Sequence, residues 1–274
     1  MNIREGVSNH RFGDQMNRNV TFSIGSVAII DKANGEYKFF DLLFDGVGGK
    51  SKAMKEIAKL LVANRLDKCV SIHQIKNVYP SEFFETLGLS KVPSERTLYR
   101  TLGRIGKKFP IIMERYQNFL KKTGLVSNEQ FLDFSSSYFE GKKAELGELG
   151  YSRDNQPGKK QITFGIGTGI NQIPSALTIQ KGNVQDKKHF KTLLNTASRV
   201  LEPNSLLIFD CGANTKANKT AVRRKKLHYL TLKAKNRGSY KPYIKKFNDS
   251  EKQKILINEY EYECVKANEK NNVK

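Results

Sequence analysis

The sequence predicts an α/β fold in which an α-helical region precedes a mixed sheet, with three antiparallel strands followed by parallel strands and intervening helices. Three observations predict it. From Ser51 to about Leu125 apolar residues recur at three- and four-residue steps, the period of amphipathic helices. After Ser127 the pattern becomes that of strands. Leu206-Leu207-Ile208-Phe209 is a continuous apolar run, the composition of a central buried strand.

A chain of 274 residues with 38% apolar and 27% charged residues can bury a core, and its length suits two modest domains. The net charge of +21 and pI near 9.8 exceed what solubility needs and point to a polyanion, with nucleic acid the leading partner. No membrane is expected: the apolar run around Val27 to Ile30 falls well short of the roughly 20 residues that span a bilayer, and MNIREGVSNH does not read as a signal peptide. The cysteines Cys69, Cys211 and Cys264 are far apart, which suits a reducing cytoplasm. With four scattered histidines they make no zinc-ligand set, so a metal has to sit on carboxylates.

Residues 1–50 are expected to form a β-hairpin and a connector. Thr21 to Phe44 alternates around Asn34-Gly35, a dipeptide that favours hairpin turns. The following Asp45-Gly46-Val47-Gly48-Gly49-Lys50-Ser51 is not a phosphate-binding loop, because Phe44 stands where that motif needs its first glycine. Residues 51–126 form the helical region. Ser51 is expected to cap a helix bearing Met54, Ile57, Ala58 and Leu61; Ser81 a short one through Leu87; and Ser94 another to Ile105, while Pro110 opens a further helix closed near Gly124. In the Ser94 helix Leu98, Leu102 and Ile105 form the inward stripe, and Arg96, Arg100 and Arg104 recur every four residues on another face. A helix-turn-helix would put these arginines on DNA phosphates or base edges; a solvated face is the plain alternative.

Residues 127–248 are read as strands Phe131 to Phe139, Gln161 to Gly169 and Ile173 to Gln180. Then come a helix from Asp186 with Phe190, Leu193, Leu194, Ala197 and Leu201 on one side, the apolar strand, a basic helix from Lys216 to Lys226 and a strand from His228 to Lys233. This is the element order of ribonuclease H. In such a sheet the first and fourth strands are neighbours, which would bring Asp133, inside the first, beside Asp210, at the end of the fourth. Two close carboxylates repel, and a divalent cation relieves the repulsion; an all-oxygen donor set suits Mg2+ or Mn2+, and paired ions serve phosphodiester cleavage or transfer. Taken singly, Asp133 is a solvated strand residue and Asp210 a turn residue before Gly212. From Cys211 through Asn248 there is no acidic residue, and Lys216, Lys219, Arg223, Arg224, Lys225, Lys226, Lys233, Lys235 and Arg237 fall within that stretch. Such a stretch neutralises phosphates whatever the base sequence, and Tyr240 and Tyr243 could stack on bases or merely pack.

Phe131-Leu132-Asp133-Phe134-Ser135-Ser136-Ser137-Tyr138-Phe139-Glu140-Gly141, with Gly150-Tyr151-Ser152-Arg153-Asp154, resembles the first acidic strand and following loop of insertion-sequence DDE transposases. Gly182-Asn183-Val184-Gln185-Asp186 resembles that family's helix entry, and Leu207-Ile208-Phe209-Asp210-Cys211-Gly212-Ala213-Asn214 its second acidic strand. The resemblance covers roughly residues 51 to 248. It implies a triad of two aspartates and a glutamate, Mg2+ or Mn2+, binding to terminal inverted repeats and target DNA, homo-oligomeric synapsis, and a prokaryotic cytoplasm with nucleoid association.

The sequence departs from that pattern in two places. Cys211 replaces the arginine the family commonly carries after the second aspartate. The family's tyrosine, arginine, glutamate, lysine signature is not found: in residues 249–274, read as the start of a β-rich insertion at which the chain stops, Glu259, Glu261 and Glu263 alternate with Tyr260, Tyr262 and Cys264 as strand faces do. The expectation is therefore a DDE transposase that is C-terminally truncated and inactive alone. The alternative is a truncated non-catalytic protein competing for transposon ends, and a stand-alone nuclease would need a further acid. Asp154, Asn183 and Asp186 are read as turn and cap residues, His189 as a helix-surface residue, and His228 as structural, with an approach to the active site as its alternative.

Overall fold

The computed structural model describes residues 21–141, 144–151, 155–232, 241–257 and 260–265. Among them the elements are α1 (Gly25–Tyr37), α2 (Phe39–Phe44), α3 (Ser51–Leu66), α4 (Ile75–Val78), α5 (Ser81–Thr86), α6 (Glu95–Lys122), β1 (Glu129–Tyr138), β2 (Glu148–Leu149), β3 (Lys160–Gly169), β4 (Pro174–Lys181), α7 (Asp186–Ala197), β5 (Leu206–Phe209), α8 (Lys216–Arg224), β6 (His228–Thr231), α9 (Lys241–Asp249), β7 (Gln253–Ile257) and β8 (Tyr260–Cys264). They fall into two compact units, Met1–Tyr116 and Gln117–Lys274.

The first unit is helical. The hairpin expected at 21–44 is replaced by α1 and α2. Val27 and Ile30, three residues apart, and Phe40, Leu43 and Phe44 enter one apolar core with Met54, Ile57, Leu60, Phe83, Phe84 and Leu98, a burial that only helical spacing delivers. Asn34-Gly35 makes no turn. The break falls at Lys38, left-handed at φ 50°, and the Asn34 side-chain oxygen accepts from the Phe40 N–H at 2.8 Å. Ser51 and Ser81 are first helical residues rather than caps. Ser94 does cap, its Oγ accepting from the Thr97 N–H at 3.2 Å.

The two helices expected around Pro110 are a single one, α6. Proline there loses the bond to the carbonyl of Gly106. Leu98 and Ile112, on either side of it, are both buried in the same core, so packing holds the helix through the defect. Leu102, expected to point inward, is 40% exposed. The helix ends as expected, with Gly124 at φ 67° and the Leu125 N–H donating to the Leu120 carbonyl at 3.0 Å.

The second unit is built on a six-stranded sheet. Its order is β2-β3-β1-β5-β6, with β4 also on β3. β3 pairs antiparallel with β1 and with β4, whereas β5 runs parallel to β1 and β6 parallel to β5. The ribonuclease-H order is therefore present in the chain's own strand pairing. The two-residue β2 was not expected; it pairs with β3 at Glu148↔Gln161 and is too short to carry a periodic signal. Alternate β1 residues Gln130, Leu132, Phe134 and Ser136 are buried, and Phe190, Leu193, Leu194 and Ala197 of α7 pack with Leu132, Phe134, Leu207 and Phe209. Each fully buried Phe or Leu there contributes about 2–3 kcal/mol relative to an exposed one. β5 is buried less completely than its composition suggested: Leu207 and Phe209 are buried, Leu206 and Ile208 only half-buried.

Candidate metal centre and nucleic-acid surface

The parallel register of β1 on β5 pairs Phe131 with Ile208 and Leu132 with Phe209. Asp133 and Asp210 are the next residues on each chain, so the pairing delivers two carboxylates to adjacent positions. Strand alternation puts Asp133 on the face opposite Leu132 and away from α7. Both aspartates line one open cavity of about 510 Å³, with Phe131, Ile208, Leu230, Thr231 and Leu232 among its walls.

Each aspartate is oriented locally. The Asp133 Oδ1 accepts from the Phe134 N–H at 2.8 Å. Asp210 closes a turn: its Oδ1 accepts from the N–H groups of Gly212 at 3.1 Å and Ala213 at 3.3 Å, and its carbonyl accepts from the Thr231 hydroxyl at 3.1 Å. Asn218 of α8 fixes that turn to the start of α7, its amide donating to the carbonyls of Ala213 at 2.8 Å and Lys187 at 3.1 Å.

Asp186, read from the sequence as a cap, is instead the first residue of α7, with Gln185 at the cap position. A β-carbon on Gly212 would lie 3.1 Å from the Asp186 Oδ2 and 3.2 Å from the Asp210 Oδ2, so the missing side chain leaves a niche into which two carboxylates point. The available signal was topological, since the helix after the third strand begins at the edge of the sheet where the fourth strand ends. Among the described residues no group of three or more His, Cys, Asp and Glu side chains converges as a metal site. The donors that do come together are hard carboxylate oxygens, which fit Mg2+ or Mn2+.

The other sequence-predicted residues divide clearly. Arg96 and Arg100 are exposed on α6 and Arg104 is half-buried. On α8, Lys216, Arg223 and Arg224 are exposed and Lys219 half-buried; Arg223 lies 5.7 Å from the centre of the Tyr229 ring and donates to its hydroxyl at 3.4 Å. Lys233, Lys235, Arg237, Tyr240 and Asp154 lie outside the described residues. Glu261 and Glu263 sit on the β7–β8 hairpin, paired with Lys254 at 2.7 Å and Lys252 at 3.2 Å; Glu259 is outside the described residues.

The reading of His189 needs correction. His189 is not on the surface of α7 but 1% exposed beneath the sheet, with Nε2 2.8 Å from the Thr178 hydroxyl and Nδ1 3.5 Å from that of Thr163. Burial pushes its pKa down to about 4, which keeps the ring neutral. His228 pairs with Leu206, three register steps from Thr231, and so lies at the end of the strands remote from Asp210.

No family model matches the chain, and no curated protein does. Among solved structures it is similar to the Mos1 transposase paired-end complex with left transposon end, at 13% identity over 69% of this chain and 60% of that one, TM-score 0.29. It is similar to a piggyBac transposase synaptic complex with hairpin DNA, at 12% identity over 82% and 47%, TM-score 0.38. A third likeness is to the Mos1 mariner paired end complex with Mn, at 14% identity over 80% and 74%, TM-score 0.27. The chain spans 60% and 47% of the length of the first two.

Proposed function

We propose that this protein is a DNA transposase of the DDE type, acting on phosphodiester bonds at transposon ends with a divalent ion held by Asp133 and Asp210. The observation that carries the reading is the β1–β5 register, which sets these two residues side by side over one open cavity of a sheet in ribonuclease-H order. A bound Mg2+ or Mn2+ would supply charge stabilisation at phosphorus and activate the attacking oxygen. The chain's own residues do the rest. The Asx turn at Asp210 and its tie through Asn218 hold one carboxylate in place, and the exposed cations of α8, starting six residues beyond Asp210, offer phosphate contacts. Arg96 and Arg100 on α6 offer a second basic surface for double-stranded DNA, with assembly of copies at paired ends as the family resemblance implies.

The test is calorimetric titration of Mn2+ into the full chain and into Asp133→Asn and Asp210→Asn. The reading expects one loss of affinity shared by both variants, with duplex DNA binding retained. Identical titrations for all three proteins would remove it.

A further inference from the structure

Just after β2 the chain presents an aromatic ring to solvent. Tyr151 is 87% exposed, more than the other exposed large apolar side chains among the described residues. Its main chain, in contrast, is held at the preceding Gly150 and at its own carbonyl. A β-carbon on Gly150 would lie 2.0 Å from the Gly182 carbonyl oxygen, so the two glycine backbones are packed directly against each other. Gln161, 4% exposed, donates from Nε2 to the carbonyls of Tyr151 at 2.9 Å and Gly182 at 3.0 Å. Just before Gly150, β2 pairs with β3.

The platform stands at the edge of the sheet that carries the aspartates. Gln161 is in register with Tyr138, five residues beyond Asp133 on β1, or roughly 17 Å at strand rise. Gly182 leads in four residues to Asp186, whose carboxylate shares the Gly212 niche with Asp210. Lys160, Lys181, Lys187 and Lys188 are exposed on the neighbouring strand ends and the first turn of α7. An exposed ring on an anchored carbonyl, at a sheet edge that also carries exposed lysines, fits the π-face of a nucleobase. Every base offers such a face, so the contact requires no particular sequence.

We propose that Tyr151 is a stacking platform for a base of DNA bound at this edge of the sheet. The inference rests on the transposase reading for its substrate. Its failure is separable, because stacking is read by binding and fluorescence without cleavage.

The experiment compares the full chain with Tyr151→Ala and Tyr151→Phe. The probes are a fully paired duplex and a duplex of equal length with one splayed end carrying 2-aminopurine at successive unpaired positions. Expected are wild-type affinity of all three proteins for the paired duplex and about tenfold weaker binding of the splayed one by Tyr151→Ala alone. Quenching of 2-aminopurine by wild type and Tyr151→Phe should be absent with Tyr151→Ala. Equal loss on both DNAs, or unchanged binding and quenching in Tyr151→Ala, overturns the proposal. Failure of the wild-type chain to bind either DNA overturns the transposase reading and this one together, whereas DNA binding without Mn2+ affinity at the aspartates leaves Tyr151 standing.

Discussion

Asp186 and Asp210 direct carboxylate oxygens at one point in space, 3.1 and 3.2 Å from where Gly212 would carry a β-carbon. Gly212→Ala therefore forces at least one carboxylate aside. The φ of Gly212 is not in the left-handed range, so alanine brings no backbone strain, and the residue is exposed, so stability should change little. Displacing a group beside a ligand commonly weakens metal affinity by about 10- to 100-fold. Mn2+ titration of Gly212→Ala should show a loss of that size with a melting temperature close to wild type.

The β7–β8 glutamates provide the opposing case. Glu261 and Glu263 neutralise Lys254 and Lys252 across a hairpin in which the exposed Ile255 and Tyr262 are register partners. Glu261→Ala and Glu263→Ala should leave Mn2+ affinity at the wild-type value, and each should cost under about 1 kcal/mol, as exposed pairs do. A loss of Mn2+ affinity in either variant would move the metal site to this hairpin.

Much of the second unit was legible because its periods are unambiguous. The α7 stripe at three- and four-residue steps, the two long strands β3 and β4, and the apolar β5 run each admit one reading, and together they bring Asp133 and Asp210 into register. The first unit was less legible where two periods overlap. Between residues 21 and 44 the apolar residues satisfy both alternation and helical spacing, and tertiary burial of Ile30, Phe40 and Phe44 decides for helix. Pro110 misled because a local rule was outweighed by core contacts at Leu98 and Ile112. His189 misled because its neighbours on α7 are lysines, while its partners Thr163 and Thr178 come from other elements.

His189 gives a pH prediction with a definite sign. Its folded pKa of about 4 lies below the ordinary value of 6.5, so between those two pH values the unfolded chain binds a proton that the native one does not. Stability is therefore fully present above pH 6.5, falls as the pH drops toward 4, and gains no further loss from this group below that. The contribution is on the order of 3 kcal/mol. Urea unfolding of wild type and His189→Gln across this range should show that component in the difference between the two curves; parallel curves would assign the acid sensitivity elsewhere.

The α8 cations predict a salt dependence. Each phosphate contact contributes about 0.9 to the slope of log affinity against log salt concentration. Lys216→Gln with Arg224→Gln removes two exposed charges while leaving the buried Asn218 and Val222 of the helix untouched. The slope for duplex DNA should fall by about 2 in the double variant, and Arg96→Gln with Arg100→Gln should lower it by a similar amount if α6 lies on the same duplex.

Gly182 tests whether the Tyr151 platform depends on glycine. A β-carbon there would lie 1.9 Å from the Gln161 carbonyl oxygen and 2.6 Å from that of Glu148, both backbone atoms of paired strands that cannot swing aside. Gly182→Ala must separate β2 from β3 or bend the exit of β4, and overpacking of this kind costs about 3 kcal/mol. The same displacement breaks the paired bonds that Gln161 makes to Tyr151 and Gly182. Denaturant unfolding should report the loss, and hydrogen exchange should rise around β2 and the adjoining loop while α7, whose contacts lie beneath the sheet, stays protected. Uniform exchange over the whole second unit would mean that the loop has no separate anchorage and that Gly182 serves only general packing.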